Sequence, residues 1–170
     1  DPDVVDASID EDPAALEDFN TELEPYGSWN EHDEYGTVWV PSSEYVGDDF
    51  APYVSRGHWA LTASGQWLWV SDYPFGHVVF HYGRWVYVPE LGWSWVPGRR
   101  YAPAWVVFRT STYGDPYIGW APLPPRYVWR NGVAVWLGSV PASPYVFVST
   151  DYVFRPSLHS YIIYQHYRVR

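Results

Sequence analysis

His77 and His81 lie four apart in a segment that reads as strand-like, so both would share one face. Catalytic zinc needs three protein ligands and an open position. Asp72 is the nearest acid and nothing in the spacing brings it in, so the polar edge of an aromatic sheet is the plainer reading. Asp6, Ser8, Asp10, Asp12 and Glu17 fall at several positions of a calcium-loop template. Glu11 stands where that loop needs glycine and no helix precedes it, which leaves a solvated acidic tail. Glycoside hydrolysis requires two carboxyl groups in one cleft, and residues 51–170 hold only Asp72, Glu90, Asp115 and Asp151, widely spaced. No nucleophile elbow, phosphate loop or dinucleotide fingerprint is present. The absence of Cys removes disulfides, thiolate zinc, iron–sulfur clusters and a thiol nucleophile. The chain therefore reads as non-enzymatic, with no metal and no cofactor.

Rings and arginines remain. The 170 residues include 12 Trp and 16 Tyr, and every one of the ten basic residues is Arg. Arginine stacks on aromatic faces better than lysine does, although a compositional bias of the source genome explains the same count. Tyr82, Trp85, Arg99, Arg100, Tyr101 and Trp105 sit beside Gly and Pro at the junctions of the repeats described below. They are the candidates for an exposed surface that could stack on sugar rings. Charge is split along the chain: residues 1–50 carry 16 of the 20 acids and no Arg, whereas residues 51–170 set ten Arg against four acids, a net +6. Single-stranded nucleic acid needs a stronger basic cluster than Arg99–Arg100, and the acidic segment would compete with it, so nucleic acid is not expected as a partner.

The elements that must position these residues repeat. "WNEHDEYGTVWVP" (29–41), "WALTASGQWLWVS" (59–71) and "WVYVPELGWSWVP" (85–97) align without gaps. Each sets two Trp ten residues apart, Trp29/Trp39, Trp59/Trp69 and Trp85/Trp95, around a turn glycine, Gly36, Gly65 or Gly92. Alternating Trp, Val and Tyr arms predict a β-hairpin for each copy. Trp67, Trp69, Trp93 and Trp95 are expected in the core, and the pairing of Trp85 with Trp95 favours a folding role for Trp85 as well. The linker "SDYPFGHVVFHYG" (71–83) also looks partly strand-like. Further strands are expected within "RRYAPAWVVFR" (99–109), "YIGWAPLPP" (117–125) and "SPYVFVSTDYVF" (143–154), with a hairpin around Asn131-Gly132. Residues 155–170 read as a final strand or short helix. Near the N-terminus, Asp12 caps a short helix that Pro13 opens, and Leu16, Phe19 and Leu23 share its docking face.

Together "PYGSW", "YGTVWVP", "HYGRWVYVPELGWSWVPG", "APAWVVFR" and "YIGWAPLPP" resemble a family of Trp-, Gly- and Pro-rich exported bacterial proteins of unknown function with repeated YG-x-W and W-x-WVPG motifs. The resemblance spans about residues 19–165, and Thr37 departs from it where the other repeats carry Trp67 and Trp93. It implies an exported, envelope-associated protein of Gram-negative bacteria and carries over no catalytic residues.

The expected architecture is all-β: tandem Trp-rich hairpins forming small barrels or a sandwich. An acidic flexible arm (1–12) leads into the helix and repeats (13–125), and a C-terminal hairpin and strand region (126–170) packs on them. No run of the sequence is long and apolar enough for a transmembrane helix. The chain opens at Asp1 rather than Met and is read as a mature or trimmed form. The expected role is an exported structural or interaction module of the envelope or extracellular matrix. It would pair with itself or with another envelope protein, its acidic arm docking on a neighbouring copy. The alternative is a glycan- or peptidoglycan-binding module using the junction aromatics.

Overall fold

A computed structural model describes residues 10–110, 114 and 116–163. Asp12 caps the first turn as expected: its Oδ1 accepts from the Ala14 N–H at 2.9 Å and its carbonyl from the Ala15 N–H at 2.9 Å. The helix is two single turns, α1 (Ala15–Asp18) and α2 (Asn20–Leu23), interrupted at Phe19. Ala15 and Leu23 are fully buried, and Leu16 and Phe19 pack against the core. Most of the expected arm lies outside the described residues. Its last residues, Asp10 to Asp12, lie against the body.

Each repeat is a hairpin: β1 (Gly27–His32) with β2 (Gly36–Pro41), β3 (Gly57–Leu61) with β4 (Trp67–Ser71), and β5 (Arg84–Val88) with β6 (Gly92–Val96). The ten-residue Trp spacing is the hairpin register, since Trp29 faces Trp39, Trp59 faces Trp69 and Trp85 faces Trp95. The glycine two residues ahead of each first Trp has a steric reason. A methyl group on Gly27 would come within 2.6 Å of the Trp39 ring, one on Gly57 within 2.5 Å of Trp69, and one on Gly83 within 2.6 Å of Trp95. The second indole of each pair lies over the backbone of the opposite arm, and only glycine leaves room for it.

The remaining strands are β7 (Val106–Thr110), β8 (Tyr117–Pro122), β9 (Tyr127–Arg130), β10 (Val133–Trp136) and β11 (Val146–Ser149). Asn131 and Gly132 both take positive φ, 51° and 79°, as a two-residue hairpin turn requires. One sheet of six strands runs β10-β9-β2-β6-β5, with β1 on β2; β11-β8-β7 form a second sheet and β3-β4 a third. The protein is therefore mostly β, but the sheets stay open and no barrel closes among the described residues. The copies also part company: the first and third hairpins join through Trp39 opposite Trp95, while the second stands as its own sheet.

Where a strand-like linker was expected at 71–83, the chain instead makes a short helix, α4 (Gly76–Val79), as α3 (Ser43–Val46) does after the first hairpin. Gly76 fits tightly against the Ser71 side chain, and Val78, Val79 and Phe80 are all buried, which a two-faced strand at a solvated edge could not achieve. Leu158–Tyr161 forms a 3-10 turn, and residues 164–170 lie outside the described part.

Trp39, Trp59, Trp69, Trp85, Trp95, Trp120 and Trp129 are fully buried. Trp59 is the hub: Trp69, Phe108 and Trp120 ring centroids lie 5.1, 5.3 and 5.8 Å from its own. Trp67 and Trp93, expected in the core, are only half-buried because they sit at the turn ends of their hairpins. Four buried indoles donate to carbonyls outside the strand ladders: Trp85 to Val79, Trp95 to Tyr82, Trp120 to Tyr53 and Trp129 to Pro97. The Nε1 groups of Trp39, Trp59 and Trp69 have no hydrogen-bond partner among the described residues, a cost of about 1–3 kcal/mol each that the ring burial must exceed.

Candidate functional site

The third hairpin differs from its copies at one chemically telling position. Where Ser28 and His58 precede the first Trp of their repeats, the third carries Arg84. The side chain of Arg84 is 11% exposed. Its guanidinium lies over the Trp105 ring at 3.5 Å, and its Nη1 donates to the Gly83 carbonyl at 2.9 Å. Burial lowers its pKa, opposed by the charge of Asp10. The Asp10 side chain is 5% exposed, with Oδ2 3.4 Å from Arg84 Nη2 and Oδ1 accepting from the backbone N–H groups of Arg99 and Arg100 at 3.0 and 2.9 Å.

A cavity of about 160 Å³ opens beside this pair. Arg84, Arg100 and Arg126 line it, with Trp105, Tyr127 and Trp136 as its rings and Leu123 and Pro124 as its apolar floor. Among the described residues, Asp10 and Glu11 are its acids. Tyr127 and Trp136 face each other across the β9–β10 hairpin, which brings both into the cavity wall. Tyr127 donates its hydroxyl to the Pro97 carbonyl at 2.9 Å, and burial together with Asp10 pushes its pKa up, so it stays protonated. Trp105 is held by Nε1 donation to the His81 carbonyl at 3.0 Å and lies 5.2 Å below the Arg100 guanidinium. Arg126 is exposed and makes no side-chain ion pair among the described residues. Among the described residues, three arginines and three rings converge there with two acids, one of them paired to Arg84, a setting suited to an anionic ligand with flat apolar faces.

The sequence candidates separate. Arg100 and Trp105 line the cavity. Arg99 faces away from it, its guanidinium held by Asp12 at 2.8 Å and Asp18 at 2.7 Å. Tyr82 packs on Phe19 at 4.8 Å, and exposed Tyr101 leans on His81 and Tyr82 at 5.3 and 5.7 Å, forming a neighbouring aromatic surface. Trp85 is a correction: at 1% exposure it is a core residue and offers no ring to a ligand. Its cross-strand pairing with Trp95 and its bond to Val79 explain why.

His77 lies within α4 and His81 two residues beyond its end, and no group of three or more His, Asp or Glu among the described residues is placed to hold a metal. Within the calcium template, Asp10 instead serves Arg84 and Asp12 serves Arg99.

Sequence reasoning passed over Arg84, Arg126, Tyr127 and Trp136, and read Asp10 only as a position of the calcium-loop template. The Ser, His, Arg series ahead of the repeat Trp marks Arg84. Nothing local marks Trp136, which the β9–β10 turn delivers.

Residues 20–127 match a family of unknown function, DUF6600. The chain belongs to that family. No curated protein and no solved structure matches it. The DUF6600 region contains the three Trp hairpins and most of the cavity, including Arg84, Arg100, Trp105 and Arg126. Asp10 and Trp136 reach the cavity from outside it. No helix among the described residues is long and apolar enough to cross a membrane.

Proposed function

We propose that this DUF6600 protein is an exported, non-enzymatic binding module of the envelope or extracellular matrix, and that it holds an acidic polysaccharide at the junction cavity. One observation carries the ligand: three arginines and the rings of Trp105 and Trp136 converge on one open cavity. Rings receive the C–H face of a sugar, and guanidinium groups pair with its carboxylates. The carboxyl groups there, Asp10 and Glu11, are sequence neighbours, and Asp10 is engaged by Arg84, an arrangement unlike an acid–base pair across a scissile bond. The exported setting rests on the sequence resemblance. Calorimetric titration and Trp fluorescence with polygalacturonate, against neutral dextran, test the reading. Saturable binding of the acidic polymer that Trp105→Ala weakens about tenfold, in a chain with unchanged circular dichroism, supports it. Equal response to dextran, or none to either polymer, rejects it.

Self-association is the second reading, favoured by β10. It ends the six-stranded sheet, and Val133, Val135 and Trp136 stand exposed on it. An apolar edge strand is a template for strand addition. Asp10 and Asp12, which an arm docking on a neighbouring copy would use, are engaged within their own chain. Assembly would therefore run through β10, and solution mass against concentration for Val135→Lys separates it from glycan binding. Concentration-dependent multimers lost in that variant support it, and a constant monomer mass removes it.

A further inference from the structure

Asp10 reveals which chemical group the cradle bordering the cavity is shaped to hold. Two convergent backbone N–H groups, from Arg99 and Arg100, and the Arg84 guanidinium surround one carboxylate. Such a concave set of donors binds carboxylates through charge-assisted hydrogen bonds. The cradle itself lies within the family region, whereas the carboxylate filling it comes from outside that region. Gly98 completes the fit, since a methyl group there would come within 2.7 Å of Asp10 Oδ1.

The attachment of Asp10 is local. From Ala15 onward the N-terminal segment is anchored by buried apolar side chains, Ala15 and Leu23 among them. Among the described residues ahead of Pro13, Asp10 to Asp12, the ionic contacts are the cradle and the Asp12–Arg99 pair, whose side chains are 45% and 37% exposed. Exposed pairs of that kind hold weakly. These described contacts are separate from the apolar anchoring of α1 and α2, so Asp10 leaving the cradle does not require undocking them.

We infer that the cradle is a carboxylate subsite of the cavity and that Asp10 is its tethered occupant, competing in cis with a uronate-bearing ligand. The choice of uronate rests on the acidic-polysaccharide reading; the occupancy by Asp10 does not. A tethered group acts at an effective concentration on the order of millimolar. A free ligand sees only the fraction of molecules whose cradle is open, so its apparent affinity is reduced by that fraction.

The test compares the full chain with its Asp10→Ala variant, using trigalacturonate as probe, a neutral trisaccharide as control and a synthetic peptide of residues 1–14 as competitor. Asp10→Ala should bind trigalacturonate about tenfold tighter than the parent, with no gain for the neutral sugar. The peptide should reverse that gain. Equal binding of trigalacturonate by both chains overturns the occupancy and leaves the polysaccharide reading standing. Binding of the peptide to Asp10→Ala alone, with trigalacturonate bound by neither chain, upholds the occupancy and removes the polysaccharide. Weaker probe binding in Asp10→Ala with a melting temperature lowered by several degrees shows Asp10 to be a structural ion-pair partner and overturns the proposal.

Discussion

In the second hairpin Trp69 is wholly buried against Trp59 and lies over Gly57, while on the last hairpin Trp136 stands 60% exposed beside three arginines. Both sit on short antiparallel hairpins. Trp69 occupies the repeat register, where a cross-strand Trp and a glycine leave it no route to solvent. Trp136 faces Tyr127, whose own ring is already tied to Pro97, so the indole is left at the rim. Within the repeats, a Trp received by a glycine and a partner Trp is packed into the fold, whereas Trp136, with neither, stays at the surface.

The largest expected effect falls on the hairpin side of that contrast. Trp69→Ala should cost about 3–5 kcal/mol, read as a lowered midpoint in urea denaturation. Gly57→Val should be comparably damaging, because its side chain would displace the Trp69 ring. A loss below about 1 kcal/mol in both would show that the repeat register does not organise the core. On the junction side, Arg126→Ala and Trp136→Ala should each weaken polygalacturonate binding about tenfold, about 1.4 kcal/mol, with melting temperatures unchanged. Unfolding of Trp136→Ala would place that residue with Trp69.

A second aromatic recess sharpens the comparison. Tyr87 and Trp93, 5.6 Å apart, border a cavity of about 210 Å³ in which Asp48 is the one charged lining residue among those described. Tyr87→Ala should leave binding of the acidic polymer unaltered. A drop matching that of Trp136→Ala would mean that rings suffice and the arginines do not choose the ligand.

The smallest effect concerns His81, which donates Nδ1–H to the Ala102 carbonyl at 3.0 Å while its own carbonyl holds Trp105. Burial lowers its pKa below the ordinary 6.5, with the Ala102 and Pro103 carbonyls opposing and His77 adding slightly. As pH falls the unfolded chain takes up the proton first. The contribution of His81 is therefore complete above about pH 6.5 and is lost as pH drops through the lower folded-state value. His81→Gln should flatten the stability profile in that window, and an unchanged slope would show His81 to be solvated.

Much of the fold was legible because the repeat is a register. The Trp spacing, the turn glycines and Asn131-Gly132 each encode a local hairpin, and all four hairpins formed where they were read. The helical turn at Gly76–Val79 was not legible, because "GHVVF" has β-branched residues and the burial of Gly76, Val78, Val79 and Phe80 around an exposed His77 is set by the tertiary packing. Of the junction residues read as an exposed surface, Arg100 and Trp105 line the candidate cavity. Trp85 was misplaced by that same argument, since its position two residues after Gly83 puts it inside the ladder.

By itself the sequence determined the hairpins, their Trp pairs and the division of charge, because these depend on side-chain alternation and turn geometry within about ten residues. Only the tertiary structure decided that the first and third copies share a sheet, that Asp10 meets Arg84 across 74 positions, and that Trp136 closes the rim of their cavity. Those contacts depend on how open sheets pack, which no local pattern of residues specifies.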